Sequence, residues 1–250
     1  MPKQNGALKF LGSLGDITYY KAKDGYFIKQ KTNLRKRIKT DPKFQRTREN
    51  AAEFATAARA GKLLRTTFRS MLREIADHRM VSRLTKTMIG VLQADLLSDR
   101  GLRNITKGDT QLLKDFEFNL DSYLNATLPV KYIPVIDRVT GQVSVSIPSF
   151  VPGKLIAAPD GATHFMFVSG TAAINFDSRN TDADLKETEL MPLTDDPIGA
   201  IKLQHVITPN SKDPIFLLLG IGFCQVINGK QYPLKNGAFN AAAIIAVSAN

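Results

Sequence analysis

The chain has 250 residues, 43% of them hydrophobic and 23% charged, and carries a net charge of +11; these values are ordinary for a globular chain with room for one large or two modest domains. No run approaches the roughly eighteen apolar residues of a membrane-spanning helix, and Met1-Pro2-Lys3-Gln4-Asn5-Gly6 lacks the apolar centre of a secretory signal, so a location in the cytoplasm or within an assembled particle is expected. A single cysteine excludes a disulfide framework and fits a reducing compartment, and the charge is uneven: residues 1–110 hold 24 Lys or Arg against 10 Asp or Glu, whereas residues 111–250 hold 10 against 13.

The first element in chain order is a hairpin. Asp24-Gly25 lies between Ile17-Thr18-Tyr19-Tyr20 and Tyr26-Phe27-Ile28, and Asp-Gly tolerates the two positive φ angles of a type I′ turn. With Asp24 and Gly25 as the loop, Lys21 faces Ile28, Tyr20 faces Lys29 and Thr18 faces Lys31, so each face mixes aromatic and cationic side chains. A two-stranded ribbon is marginal alone in water. Tyr19, Tyr20, Tyr26, Phe27 and Ile28 therefore need a surface to lie on: the chain's own body, a neighbouring subunit or another partner. Asn33-Leu34-Arg35-Lys36-Arg37-Ile38-Lys39 follows and reads as an extended basic connector, with Arg35, Lys36, Arg37 and Lys39 supplying its four cations.

Asp41-Pro42 marks a helix start, with Asp41 as N-cap and Pro42 at the first helical position, where its missing N–H costs nothing. From 42 to about 77, Phe44, Ala51, Phe54, Ala55, Ala58, Leu64, Phe68, Met71, Leu72 and Ile75 recur mostly at three and four, the period of an amphipathic helix. Gly61 is the expected break between two helices. Arg59, Lys62, Arg65, Arg69 and Arg73 advance by 3, 3, 4 and 4, which at ~100° per residue confines them to about a third of the circumference. Such a stripe can grip phosphate backbones through counterion release without reading sequence; it can equally be a solvated face. A further helix is expected over about 80–97, with Leu84, Met88, Val91 and Leu92 inward and Arg100-Gly101 ending it.

Beyond Thr110 the period falls to two. Residues 116–120 and 143–147 alternate, and apolar runs follow at 164–168, 172–176, 201–207, 215–226 and 241–247, separated by Pro, Gly, Asn and Asp. Asn228-Gly229 is a second hairpin turn, joining 223–226 to 231–234. Seven or more short strands with this punctuation predict an antiparallel β-sandwich. Residues 177–198, rich in Asp, Glu and Thr, read as a loop or protruding edge whose acids can meet a neighbour's cationic ribbon. The expected whole is α+β: an N-terminal β-hairpin and basic arm over 1–40, a small helical unit over 41–110 and a C-terminal antiparallel β-sandwich over 111–250.

No motif announces chemistry, so neither enzymatic activity nor a cofactor is expected. His78, His164 and His205 fall in different elements without ligand spacing. Asp182, Asp184, Glu187, Glu189, Asp195 and Asp196 lack the ligand order of a calcium loop. There is no P-loop, dinucleotide fingerprint or Gly-x-Ser-x-Gly elbow, and Cys224, set in an apolar run, reads as a buried inert thiol.

Gly12-Ser13-Leu14-Gly15-Asp16-Ile17-Thr18-Tyr19-Tyr20-Lys21, Lys23-Asp24-Gly25-Tyr26, Thr40-Asp41-Pro42, Arg46-Thr47-Arg48-Glu49-Asn50, Ala60-Gly61-Lys62-Leu63-Leu64-Arg65, Ile147-Pro148-Ser149-Phe150 and Tyr232-Pro233-Leu234-Lys235-Asn236-Gly237-Ala238-Phe239-Asn240 stand out together. With these stretches the chain resembles, over nearly its whole length, an uncharacterised protein family of Bacteroidota. The resemblance implies no activity, substrate or site residue.

The residues themselves lead to a non-enzymatic structural or interaction protein, a homo-oligomer associating through Tyr19, Tyr20, Tyr26, Phe27, Ile28 and the basic arm. The alternative is a sequence-nonspecific binder of nucleic acid or another polyanion, using Arg35, Lys36, Arg37, Lys39 and the helical stripe Arg59, Lys62, Arg65, Arg69 and Arg73. A carbohydrate-binding sandwich is a third reading, weakened by the absence of Trp, since sugar platforms exploit broad aromatic faces.

Overall fold

The computed structural model describes residues 2–31, 34–234 and 237–249, so Asn33 of the connector and Lys235-Asn236 of the last quoted stretch lie outside the described residues. Its contacts divide the chain between Glu49 and Asn50 into two units.

In the N-terminal unit, β1 (Gly12–Leu14), β2 (Ile17–Ala22) and β3 (Gly25–Gln30) form an antiparallel sheet in chain order. Gly15-Asp16 turns β1 into β2, with Gly15 at φ 54°; too short to alternate, β1 left no periodic signal. β2 and β3 pair as expected but in another register. Lys21 opposes Tyr26, Tyr20 opposes Phe27 and Thr18 opposes Lys29, so the loop is Lys23-Asp24, and Gly25 opens β3 at φ 126°. A slip of two residues leaves every side chain on its face, because the strand period is two. The aromatic–cationic mixing therefore survives: the Lys29 ammonium lies 5.4 Å from the Tyr20 ring centre and that of Lys21 lies 5.7 Å from Tyr26.

The basic connector is not extended. Leu34–Thr40 is a helix, α1, with no buried residue; LRKRIKT contains neither Gly nor Pro, and Leu, Arg and Lys are good helix formers. The guanidinium of Arg48 donates to the carbonyls of Ile38 (2.7 Å) and Asp41 (3.0 Å), fixing the end of α1. Asp41 then caps a one-turn 3₁₀ helix (Pro42–Phe44), its Oδ1 accepting from Lys43 N–H at 3.0 Å, and α2 (Gln45–Thr67) follows.

The C-terminal unit continues α2 through α3 (Arg69–Leu72), α4 (Met80–Gln93) and α5 (Leu124–Thr127). Then come β4 (Ile133–Asp137), β5 (Gln142–Ile147), α6 (Pro152–Leu155), β6 (His164–Ile174), β7 (Thr181–Glu187) and β8 (Met191–Pro192). The last strands are β9 (Ile201–Val206), β10 (Ile215–Ile227), β11 (Lys230–Pro233) and β12 (Ala241–Ser248). The large sheet runs β11-β10-β6-β7, with β12 also on β10 and β8 on β6; the small sheet runs β4-β5-β9. Asn228 and Gly229 take φ 49° and 75° opposite the Ile227–Lys230 pair, the expected turn.

Alternation along β10 distributes the core. Ile215, Leu217, Leu219 and Ile221 meet Val143, Val145 and Leu203 of the small sheet, while Phe216 and Leu218 point the other way, into a core built by Ala57, Leu64, Phe68, Leu84, Met88 and Leu92. The fold is α+β, three layers deep: helices, large sheet, small sheet. In the C-terminal unit the helices and the large sheet share one apolar layer.

Three local expectations change for physical reasons. Gly61 does not break α2; it is buried where α4 passes, and a Cβ there would sit 3.5 Å from Leu84 Cγ. The break falls at Phe68 (φ −99°, ψ 23°), whose ring lies over Gly170, where a Cβ would come within 3.0 Å. Helix α4 stops at Gln93 rather than near 97, since the buried Asp95 carboxylate accepts from Leu97 and Ser98 N–H at 3.0 and 3.1 Å and so diverts the backbone into a turn. The acidic stretch holds strand β7, paired with β6, and its acids are in use: Val206 N–H donates to Asp184 at 3.1 Å and Thr208 N–H to Asp182 at 2.6 Å.

Candidate interaction surface

Among the described residues of the N-terminal unit no hydrophobic side chain is buried, whereas Gln4 is. Its side-chain amide grips the chain on both sides: Oε1 accepts from Phe10 N–H at 2.8 Å, and Nε2 donates to the carbonyls of Phe10 (3.2 Å) and Phe27 (3.3 Å). Residues 2–4 run beside β3, with Gln4 N–H on Tyr26 O at 2.9 Å and Ile28 N–H on Pro2 O at 3.0 Å. Phe10 comes to 5.8 Å from Tyr19, ring centre to ring centre.

This folding-back changes which residues face solvent. Tyr19, Tyr20, Tyr26, Phe27 and Ile28 are each half-buried, with Tyr20 and Phe27 stacked at 5.9 Å. The exposed large apolar residues are instead Leu8 (76%), Phe10 (58%), Leu11 (66%), Leu14 (74%) and Ile17 (40%), with Leu34 (46%) on α1. The signal that could have found them is density: four large apolar residues within seven positions, Leu8 to Leu14, beside Gly12.

The basic residues separate into two groups. Arg35, Lys36, Arg37 and Lys39 share α1 and are exposed; Arg37 reaches Asp41 at 3.4 Å and lies 5.9 Å from the Phe44 ring centre. Arg59, Lys62 and Arg65 lie on α2, but Arg69 opens α3 and Arg73 caps it, so the break at Phe68 divides the expected single-helix stripe. Arg59 donates to Thr56 Oγ1 at 3.1 Å, Arg65 is half-buried, and Arg73 pairs with Glu74 at 3.2 Å.

One buried constellation was hidden in sequence. His205 Nε2 lies 2.9 Å from Ser169 Oγ, and its Nδ1 lies 3.6 Å from Asp184 Oδ2, joining β9, β6 and β7. The order Ser-His-Asp matches a nucleophile relay, but Ser169 and His205 are each 1% exposed, and Ser169 Oγ donates to Leu218 O at 2.9 Å, so the group acts as a tie between the sheets. Burial holds the imidazole below its usual 6.5, against the pull of Asp184. His164 pairs with Thr163 Oγ1 at 2.9 Å, His78 is exposed, and Cys224 is half-buried with its thiol pushed up by burial. A hollow of about 550 Å³ is lined by Cys224, Phe223, Gln231, Arg73 and Glu74. Among the described residues no three His, Cys, Asp or Glu side chains are placed to hold a metal ion, and no helix is long and apolar enough to cross a membrane.

No protein-family model matches this chain, and no curated protein does. A solved structure from work on the pH-induced modulation of Streptococcus parasanguinis adhesion by Fap1 fimbriae is similar at 11% identity, covering 47% of this chain and 80% of that one, with a TM-score of 0.24. A likeness at that score carries no argument about fold or function.

Proposed function

We propose that this chain is a non-enzymatic structural or interaction protein that self-associates through its N-terminal unit, and the resemblance to a Bacteroidota family belongs to the same reading. The observation that supports it is the absence of any buried hydrophobic residue among the described residues of that unit, beside six large apolar side chains, Leu34 of α1 among them, that are 40–76% exposed. Contiguous exposed apolar surface marks an interaction site, and burying one such side chain fully contributes about 1.5–3 kcal/mol. Light scattering after size exclusion tests the reading on the full chain and on a chain beginning at Asp41. The full chain is expected to assemble and the shortened one to be a monomer; an unchanged oligomeric mass overturns the proposal.

A second reading rests on α1. The N-terminal unit carries 13 Lys or Arg against four Asp or Glu, and Arg35, Lys36 and Lys39 point into solvent. A polyanion-binding arm of this kind loses affinity linearly in log salt, alike for all sequences. Absence of DNA or RNA binding at low salt would end that reading.

A further inference from the structure

Three arginines from separate stretches of the C-terminal unit line one hollow of about 260 Å³. Arg59 comes from α2, Arg103 from the chain after α4, and Arg179 from the turn between β6 and β7. Sequence spacing sets Arg59 in a stripe with Lys62 and Arg65; the fold instead brings it to two arginines far along the chain. Each guanidinium keeps donors in hand. Arg59 donates to the neutral hydroxyl of Thr56 at 3.1 Å. Arg103 reaches the buried Glu53 at 3.7 Å, while Glu53 already accepts Gly101 N–H at 2.9 Å. The Arg103 Nε is buried with no hydrogen-bond partner among the described residues, and a buried donor left unpaired costs free energy. Arg179 makes no side-chain hydrogen bond or ion pair among the described residues. It also holds φ 62°, a left-handed conformation that favours glycine, in a turn closed by Asn175 N–H on Asn180 O at 2.9 Å. The acid in the hollow is Asp177, to which the Asn104 side chain donates at 2.6 Å; Asp95 holds Asn104 in turn, accepting its backbone N–H at 3.0 Å. Even with Glu53 set against Arg103, the balance of charge is positive. Behind it lie the half-buried side chains of Leu63 and Phe176, so an ion held there is screened less than in open water.

We propose that this hollow binds a phosphate group, either the free ion or the end of a phosphomonoester. A planar carboxylate is satisfied by one guanidinium fork, whereas the terminal oxygens of a phosphate engage several at once. Size points to the group rather than to a whole molecule. The hollow lies below the ~300–1,000 Å³ that organic ligands usually occupy, so the remainder of an ester stays outside. All the lining residues belong to one C-terminal unit, and binding therefore needs no second copy. A discrete site also saturates at one anion per chain, unlike a basic surface that tracks a nucleic-acid backbone.

Calorimetric titration of the full chain with inorganic phosphate, glycerol phosphate and acetate, at matched ionic strength, tests this. Inorganic phosphate should bind saturably at one per chain, and acetate should not displace it. Glycerol phosphate binding at least as tightly as phosphate identifies an ester as the occupant; weaker binding identifies the free ion. Arg59→Gln and Arg179→Gly should each weaken phosphate binding ~10–100-fold. Arg179→Gly removes the guanidinium and suits the left-handed backbone, so it should melt close to the parent, and its lost binding is then not unfolding. Lys62→Gln, outside the hollow, should bind as the parent does. Absence of saturable phosphate binding overturns the proposal, as does an equal loss in Lys62→Gln or equal competition by acetate. Displacement of phosphate by a single-stranded oligonucleotide without terminal phosphates overturns it too, returning these arginines to a general polyanion surface.

Discussion

At the residue scale, a half-buried carboxylate and a buried imidazole act on stability with opposite signs. Glu117 lies beside β12, bridged to Ala243, and its carboxylate accepts Leu124 N–H at 3.1 Å. Burial raises it to about 7, with Asp115 adding to the rise. The folded form therefore takes up a proton that the unfolded chain, near 4.5, has released; this stabilisation is complete below about 4.5 and disappears as pH rises through 7. His205 has the opposite sign. Its folded value lies below 6.5, so stability declines as pH falls beneath 6.5 and the unfolded imidazole takes the proton first. Glu117→Gln should thus match the parent near pH 4.5 and exceed it increasingly towards pH 8, read as the urea midpoint; an advantage that does not grow with pH sinks the assignment. Arg138 carries a larger effect. Its guanidinium donates to the carbonyls of Ser211, Asp213, Ser248 and Ala249, gathering three separate stretches of chain. Arg138→Met leaves those acceptors without their donor and should cost ~2–4 kcal/mol, measured by denaturant unfolding; a loss under ~0.5 kcal/mol would show that water replaces the guanidinium.

At the scale of elements, glycines separate close packing from spare room. A Cβ at Gly61 meets Leu84 at ordinary contact distance, 3.5 Å, and α2 is continuous there, so Gly61→Ala should stabilise by ~0.5–1 kcal/mol through helix propensity. Gly220 lies in β10 between β12 and β6, where a Cβ would fall 2.9 Å from Ala241 O and 3.0 Å from Val168 Cγ2. Gly220→Ala should destabilise by ~1–3 kcal/mol, and equal melting points for the two variants would contradict this packing. The same elements show what was legible in the sequence. β10 and β12 were, because long apolar runs between turn residues admit few other structures, and so was Asn228-Gly229. Strand β7 was not: Thr181-Asp182-Ala183-Asp184 reads as solvated, and only the N–H groups of Val206 in β9 and of Thr208 just beyond it explain why acids alternate there. The end of α4 was hidden for a related reason, since Leu96 and Leu97 continue the helical apolar pattern, and Asp95 overrides it by offering a buried carboxylate to the backbone. Of the N-terminal unit, the pairing of the aromatic strands β2 and β3 was legible in the sequence. The sequence did not reveal that residues 2–10 fold back over Tyr19 and transfer the exposed apolar role to Leu8, Leu11 and Leu14, because that depends on one glutamine side chain bonding across the fold.

At the scale of the whole molecule, the two units should differ sharply in autonomy. Among the described residues, every side chain in both apolar cores comes from residue 57 or beyond, so a chain beginning at Asp41, which keeps the cap on the turn into α2, loses none of the described buried apolar groups. Counting the described residues alone, its melting point should lie within a few degrees of the parent under conditions where the parent is a monomer, with ~2–4 °C corresponding to each kcal/mol for a chain of this size. The peptide 1–49 stands in the opposite position. It has three short strands, one clamping glutamine and no hydrophobic residue buried among its described residues, and chains this short rarely hold a fold without a disulfide, a metal or a partner. Alone it should show narrow amide dispersion and no cooperative melting by NMR and circular dichroism. Adding the chain 41–250 should then sharpen and spread its resonances, since a unit that cannot bury its own apolar face gains its structure on the surface that covers it. A cooperative transition in isolated 1–49 would show that the sheet is self-sufficient, and the exposed leucines would then need another explanation than assembly.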